Sequence, residues 1–248
     1  MKTLLIGDGY WGLIVKKKLT NLTTLVTVAN SKSDLDEILG NNNIDYVFVC
    51  VNTKNHYEVV KKCLEYKKNV FCEKPFTGNI KTALELYKMA DENGVKIYVD
   101  NLFLLRDEIK TINVPLKKDI TFSWKKYDVN YKENLYDSLL YHDIYVLFNL
   151  SNNKWVVSNR LVTDVVLDME LSNDGMKCKI EYDRNFNGQE KKIIVDGTTI
   201  NLNTPTNDPL EETIHNIITN SVDYESNKKV TVDTLYFITK LKENDNRI

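Results

Sequence analysis

The first hundred residues alternate short apolar runs with longer stretches of helical spacing. Residues 3–6 form an apolar run ended by glycines, after which Leu13, Ile14, Val15 and Leu19 recur on one helix face. Residues 24–29 are β-branched. Residues 46–51 are continuously apolar, as strands buried on both faces of a parallel sheet are, and 70–72 and 95–99 complete five strand candidates. Helices are predicted over about 55–67 and 81–92, the second stopped by Asn93-Gly94. Strands alternating with helices of this length imply right-handed crossovers and a parallel sheet.

Beyond Asn101 the pattern changes. Residues 120–124, 155–171, 176–182 and 191–202 are β-rich and separated by polar turns at 172–175 and at Asp196-Gly197. Consecutive strands with short turns predict an antiparallel sheet. One amphipathic helix, 135–150, interrupts them, and two more, about 209–224 and 232–241, close the chain. The expected fold is α/β, with a parallel-sheet domain over 1–101 and a smaller α+β domain with a mainly antiparallel sheet over 102–248.

Composition narrows the class. The 248 residues are 42% hydrophobic and 27% charged, an ordinary globular balance in a chain able to bury roughly 70 to 75% of its unfolded surface. A net charge of −2 and scattered lysines argue against nucleic acid, which calls for a concentrated positive field. No apolar stretch approaches the roughly eighteen residues of a membrane span, and no leader pattern opens the sequence. Cys50, Cys63, Cys72 and Cys178 lack the paired spacing of a zinc site and read as reduced, mostly buried thiols, which fits the cytoplasm. Three histidines without clustered carboxylates or thiols give no case for a metal.

The chemistry begins at Gly7-Asp8-Gly9-Tyr10-Trp11-Gly12, between the first strand and the first helix. The first glycine permits the tight turn, the second lets a pyrophosphate approach the backbone, and the third allows close packing of helix on sheet. The helix amino end then offers N–H groups to the anion. In this strand–turn–helix context the turn predicts a dinucleotide-binding Rossmann domain. The residue closing the second strand normally selects the cofactor, an acid accepting hydrogen bonds from the ribose of NAD. Asn30, Ser31 and Lys32 stand there instead. A bond of about 1.5 to 3 kcal/mol from Lys32 to a 2′-phosphate favours NADP over NAD.

The glycine turn, Thr53-Lys54-Asn55-His56-Tyr57-Glu58, and Val70-Phe71-Cys72-Glu73-Lys74-Pro75-Phe76 together resemble the Gfo/Idh/MocA oxidoreductases, which include glucose-fructose oxidoreductase and inositol dehydrogenase. The resemblance is specific over about 1–100 and thinner afterwards. It implies hydride transfer between nicotinamide and a hydroxyl or keto carbon of a sugar, sugar nucleotide or cyclitol. It makes Lys74 the central catalytic residue, and adds Val51, Thr53, His56, Glu73 and Lys74 to the turn residues as cofactor contacts. Lysine at the carboxyl end of a parallel strand is chemically apt, because its ammonium can hydrogen-bond an oxygen that gains charge as hydride moves. Lys54 stands where the family has proline.

The family's second acid–base group is a histidine preceded four residues earlier by Asp and often followed by Asp three residues later. His142 matches, but Asp137 lies five residues before it and Tyr145 three after. In an α-helix a spacing of four stacks side chains and five rotates them apart. His142 remains the expected proton donor or acceptor, with Tyr141 and Tyr145 in reserve, and His215 reads as structural. The resemblance also implies a homodimer or homotetramer associating through the open sheet face. Two alternatives stay open: a non-catalytic NAD(P)-binding sensor or regulatory subunit, and a redox-assisted epimerase.

Overall fold

The computed structural model describes residues 1–40, 43–113, 115–116, 118–128, 134–151 and 154–245. It divides into two compact units, Met1–Leu102 with Leu210–Ile248, and Phe103–Pro209. This differs from the 1–101 and 102–248 division: the closing helices belong to the first unit.

The first unit runs β1 (Lys2–Ile6), α1 (Tyr10–Leu22), β2 (Thr24–Ala29), α2 (Leu35–Leu39), β3 (Tyr46–Val49), α3 (Thr53–Glu65), β4 (Asn69–Cys72), α4 (Ile80–Asn93) and β5 (Ile97–Val99). The five strands are all parallel, in the order β2-β1-β3-β4-β5. Every residue of β3 and β5 is buried, the pattern of strands covered on both faces. Order reverses between β1 and β3, and in open parallel sheets the crevice beyond the strand ends at such a point is where ligands bind.

In the second unit a short α5 (Asp107–Lys110) leads to β6 (Ile120–Lys126). A π-helical turn (Tyr136–Leu140) then runs directly into α6 (Tyr141–Leu150), and β7 (Val156–Val162), β8 (Val166–Asn173), β9 (Met176–Asp183), β10 (Gln189–Val195) and β11 (Thr198–Asn201) follow. The sheet order is β11-β10-β6-β9-β8-β7, antiparallel except for the β6–β9 pair. β8 and β9 alternate buried and more exposed positions, as strands with one covered face do. The expected turns are type I′: Asp174 and Gly175 have φ of 47° and 86°, Asp196 and Gly197 of 52° and 77°. The apolar stretch 155–171 is two strands rather than one, because Thr163 Oγ1 accepts the N–H groups of Val165 and Val166 and turns the chain without glycine or proline.

α7 (Pro209–Ile218) and α8 (Tyr224–Asp245) return to the parallel sheet of the first unit. Leu210, Ile214 and Ile217 of α7 share a core with Leu5, Phe48, Phe71 and Tyr98, each such burial stabilising by roughly 1.5–3 kcal/mol. On α8, Asn227 takes the Val99 N–H on Oδ1 and donates to the Val99 carbonyl from Nδ2, both at 2.9 Å. The amide thereby satisfies the outward-facing backbone of edge strand β5, which would otherwise be a template for pairing. No described helix is long and apolar enough to cross a membrane.

Candidate functional site

In the first unit the site is built chiefly by backbone. Gly7 has φ of +114°, and a Cβ there would lie 2.6 Å from the carbonyl carbon of Cys50. A Cβ on Gly12 would strike the Gly7 carbonyl. Neither position tolerates a side chain without moving main chain. Gly9 is the opposite case, with no atom within 4 Å of its would-be Cβ, so the loop leaves open space directly before α1. That helix has no side-chain cap and no acid in its first turn, which leaves the positive end of its dipole for an anion. Behind the loop, Trp11 Nε1 is buried without a partner.

The ends of β3 and β4 face the same crevice. His56 is 1% exposed and bridges two loops: Nε2 lies 3.0 Å from the Val51 carbonyl and Nδ1 3.0 Å from the Pro75 carbonyl. Its placement is that of a strut between the segments carrying Val51 and Lys74. Thr53 opens α3. Glu73 is buried, Lys74 is partly exposed, and the Lys74–Pro75 peptide is cis. Beside them the structure adds Asp100, at the end of β5 and 3% exposed. Burial pushes the Glu73 carboxyl well up, reinforced by the charge of Asp100 and a hydrogen bond with it, and opposed by the Lys74 ammonium. Burial likewise raises Asp100. Two carboxyls in one dry site oppose each other's ionisation, and the Lys74 ammonium beside them favours it. Glu73 Oε1 has no hydrogen-bond partner.

The second unit assembles its polar centre from side chains of separate elements. The imidazole of His142 stacks on Phe103, with centroids 4.4 Å apart and planes 17° apart, and more distantly on Trp124. Lys191 Nζ lies 3.6 Å from the Trp124 ring centre and 3.7 Å from that of Phe103, a cation held between two π faces. Tyr145 Oη accepts the Phe103 N–H at 3.1 Å and lies 3.1 Å from His142 Nδ1.

Asp137 accepts from Asn134 Nδ2 at 2.9 Å and sits in the π-helical turn. Such a turn inserts one residue into the helical repeat. The stretch between Asp137 and His142 is therefore not purely α-helical, so the spacing rule of an α-helix does not describe it.

Next to His142, Asp143 is buried and accepts from Tyr182 Oη at 2.6 Å. Burial pushes its carboxyl up to about 7, with the Tyr182 bond and the charge of Lys191 acting the other way. Trp124 and Lys191 also line a cavity of about 310 Å³, with Ser138, Arg184 and Glu190 among its other walls. His215 is exposed on α7. Among the described residues no group of three His, Cys, Asp or Glu side chains is placed to hold a metal.

Residues 16–101 match the model of the oxidoreductase family with an NAD-binding Rossmann fold, Gfo/Idh/MocA. That stretch belongs to the Gfo/Idh/MocA family. The match begins inside α1, so the glycine turn precedes it and supports the assignment independently. Among curated relatives of this Gfo/Idh/MocA segment, the uncharacterized oxidoreductase YhhX of Escherichia coli is 42% identical over 65 residues, 26% of this chain and 19% of that protein. Myo-inositol 2-dehydrogenase of Thermotoga maritima is 36% identical over 63 residues, 25% of this chain and 19% of that protein. The matched stretch thus spans about a fifth of these relatives. Likeness in fold extends much further. UDP-N-acetylglucosamine 3-dehydrogenase GnnA from Acidithiobacillus ferrooxidans superposes with a TM-score of 0.83 at 15% identity, over 98% of this chain and 97% of that one. The dehydrogenase MviM from Clostridium difficile gives 0.84 at 14% identity, over 98% and 99%.

The sequence reading named the backbone-built residues but missed Asp100, Phe103, Trp124, Asp143, Tyr182 and Lys191. Asp143 adjoins His142 and could have been flagged for its position. The others lie in strand or loop patterns that give no local sign of chemistry.

Proposed function

We propose that this chain is a nicotinamide-dinucleotide-dependent oxidoreductase acting on the hydroxyl or keto carbon of a sugar-like substrate. The observation that carries the reading is the turn from Gly7 to Gly12: two glycines closed to any side chain, one opening onto empty space, and an uncapped helix end behind it. The residues fit the cofactor, since the open loop and uncapped helix end suit a pyrophosphate. Gly7, Gly9, Tyr10, Trp11 and Gly12, with Asn30, Ser31, Lys32, Val51, Thr53 and Glu73, would hold the dinucleotide. His56 supports the loops they lie on. When bound, nicotinamide supplies or accepts the hydride.

Lys74 then has the central role, its ammonium hydrogen-bonding the substrate oxygen that gains negative charge during reduction. Glu73 and Asp100 lie buried beside it, and its charge opposes the rise that burial imposes on both carboxyls. His142 is the second proton-handling group. Its imidazole can donate a proton to an oxygen in the reductive direction and accept one in the other. The cavity shared by Trp124 and Lys191 offers the mixed aromatic and polar walls that a hydroxylated ring requires. The sugar-nucleotide and inositol dehydrogenases among the similar proteins support this substrate class.

Titration calorimetry with NADH and NADPH, followed by turnover against a panel of keto-sugars, tests the reading. Lys74→Met should keep cofactor affinity and lower turnover by about 10²–10⁴. Unchanged turnover would remove Lys74 from the mechanism, and tight binding without turnover on any substrate would favour a nucleotide sensor.

A further inference from the structure

β2 ends at Ala29, whose carbonyl takes the Gly7 N–H at 2.8 Å. This bond holds the start of the glycine turn against the strand end that ordinarily reads the adenosine ribose. Asn30 follows, and its amide is oriented by two partners. The Lys32 N–H donates to Oδ1 at 3.0 Å, which turns Nδ2 the other way to donate to Asp8 Oδ2 at 2.9 Å. Ser33 staples the same turn, its Oγ accepting the Asn30 N–H and its own N–H donating to the Asn30 carbonyl, both at 3.0 Å. Asp8 is exposed, yet it is held in place. A carboxylate therefore stands at the end of β2, where the strand's own sequence supplies only an amide.

We infer that Asp8 is the cofactor-selecting residue of this chain, the glycine turn supplying the acid that β2 lacks, and that it selects NAD against NADP. The inference rests on the dinucleotide reading above and reverses the preference expected from Asn30, Ser31 and Lys32 alone. A carboxylate accepts hydrogen bonds from ribose hydroxyls, whereas a 2′-phosphate would bring a charge of about −1.5 to −2 against it. Lys32 contributes its backbone N–H to the arrangement that fixes the acid, and its side chain is exposed. Because the site faces water, screening limits the discrimination to about ten- to hundredfold.

The test is titration of the intact chain with NADH and with NADPH, as wild type, Asp8→Asn and Asn30→Ala. Wild type should bind NADH at least about tenfold more tightly. Asp8→Asn, which removes the charge and keeps the shape, should bring the ratio of affinities close to one, chiefly by strengthening NADPH. Asn30→Ala, which frees the acid, should move the ratio the same way by less. An unaltered thermal midpoint shows that the exposed substitution has not disturbed the fold. Equal or tighter NADPH binding by wild type, or a ratio unchanged in Asp8→Asn, overturns the inference and leaves the dinucleotide reading standing. Failure of both nucleotides to bind overturns that reading and the inference with it.

Discussion

The two units arrange proton chemistry in opposite ways. In the first, the site is main chain: a glycine turn, a helix end and three strand ends, with Lys74 and a pair of buried acids added at those ends. In the second it is side chain, with Phe103, Trp124, His142, Tyr145, Tyr182 and Lys191 drawn from a 3₁₀ turn, three strands and one helix across almost ninety residues. Both bury carboxyls, but Glu73 is pushed up by the charge of Asp100 as well as by burial, whereas Asp143 has a phenol and a nearby ammonium acting against burial. A backbone site is rigid and unforgiving at single positions. A side-chain site distributes its function and should degrade by steps.

The largest effect should test whether the second unit's centre is chemical at all. His142→Gln is expected to lower turnover by about 10²–10⁴ while cofactor affinity and thermal midpoint stay near wild type. A loss of stability without a specific loss of turnover would make the stacked imidazole a packing element. On the backbone side, Gly7→Ala places a Cβ against the Cys50 carbonyl at a φ of +114°. It should destabilise the first unit by about 2–4 kcal/mol and abolish nucleotide binding, measured by denaturant titration and calorimetry. A variant binding NADH normally would contradict the close approach.

Asp143 sharpens the contrast through pH. Its carboxyl titrates near 7 in the folded chain and near 4 when unfolded. The folded form thus binds a proton that the unfolded chain has already released. Its contribution is fully present below pH 4 and is lost as pH rises through 7, a change of about 2–4 kcal/mol. Asp143→Asn, which still accepts from Tyr182, should flatten the fall in unfolding free energy between pH 5 and 8. A wild-type stability that rises over that window would show that the group ionises freely. The smallest effect belongs to Tyr145→Phe. Losing the bond to Nδ1 releases the His142 imidazole, with a loss of about twofold to twelvefold in turnover, equivalent to the roughly 0.5–1.5 kcal/mol of one hydrogen bond, and a shifted pH profile. An unmoved profile would mean that Tyr145 does not orient the imidazole.

The sequence by itself determined the parallel sheet, the glycine turn and the positions of Lys74 and His142, because each is written in neighbouring residues: burial on both faces gives continuous apolar runs, and a turn that main chain must approach closely requires glycine at fixed spacing. It also located the Asp-Gly hairpin turns. It gave no sign of the π-helical turn between Asp137 and His142. Only the tertiary structure decided the return of α7 and α8 to the first sheet, the meeting of Glu73 with Asp100, the cage around Lys191 and the placement of Asp8 beside Asn30. Each of these depends on which distant segments become neighbours, and a contact energy between side chains leaves no periodicity along the chain.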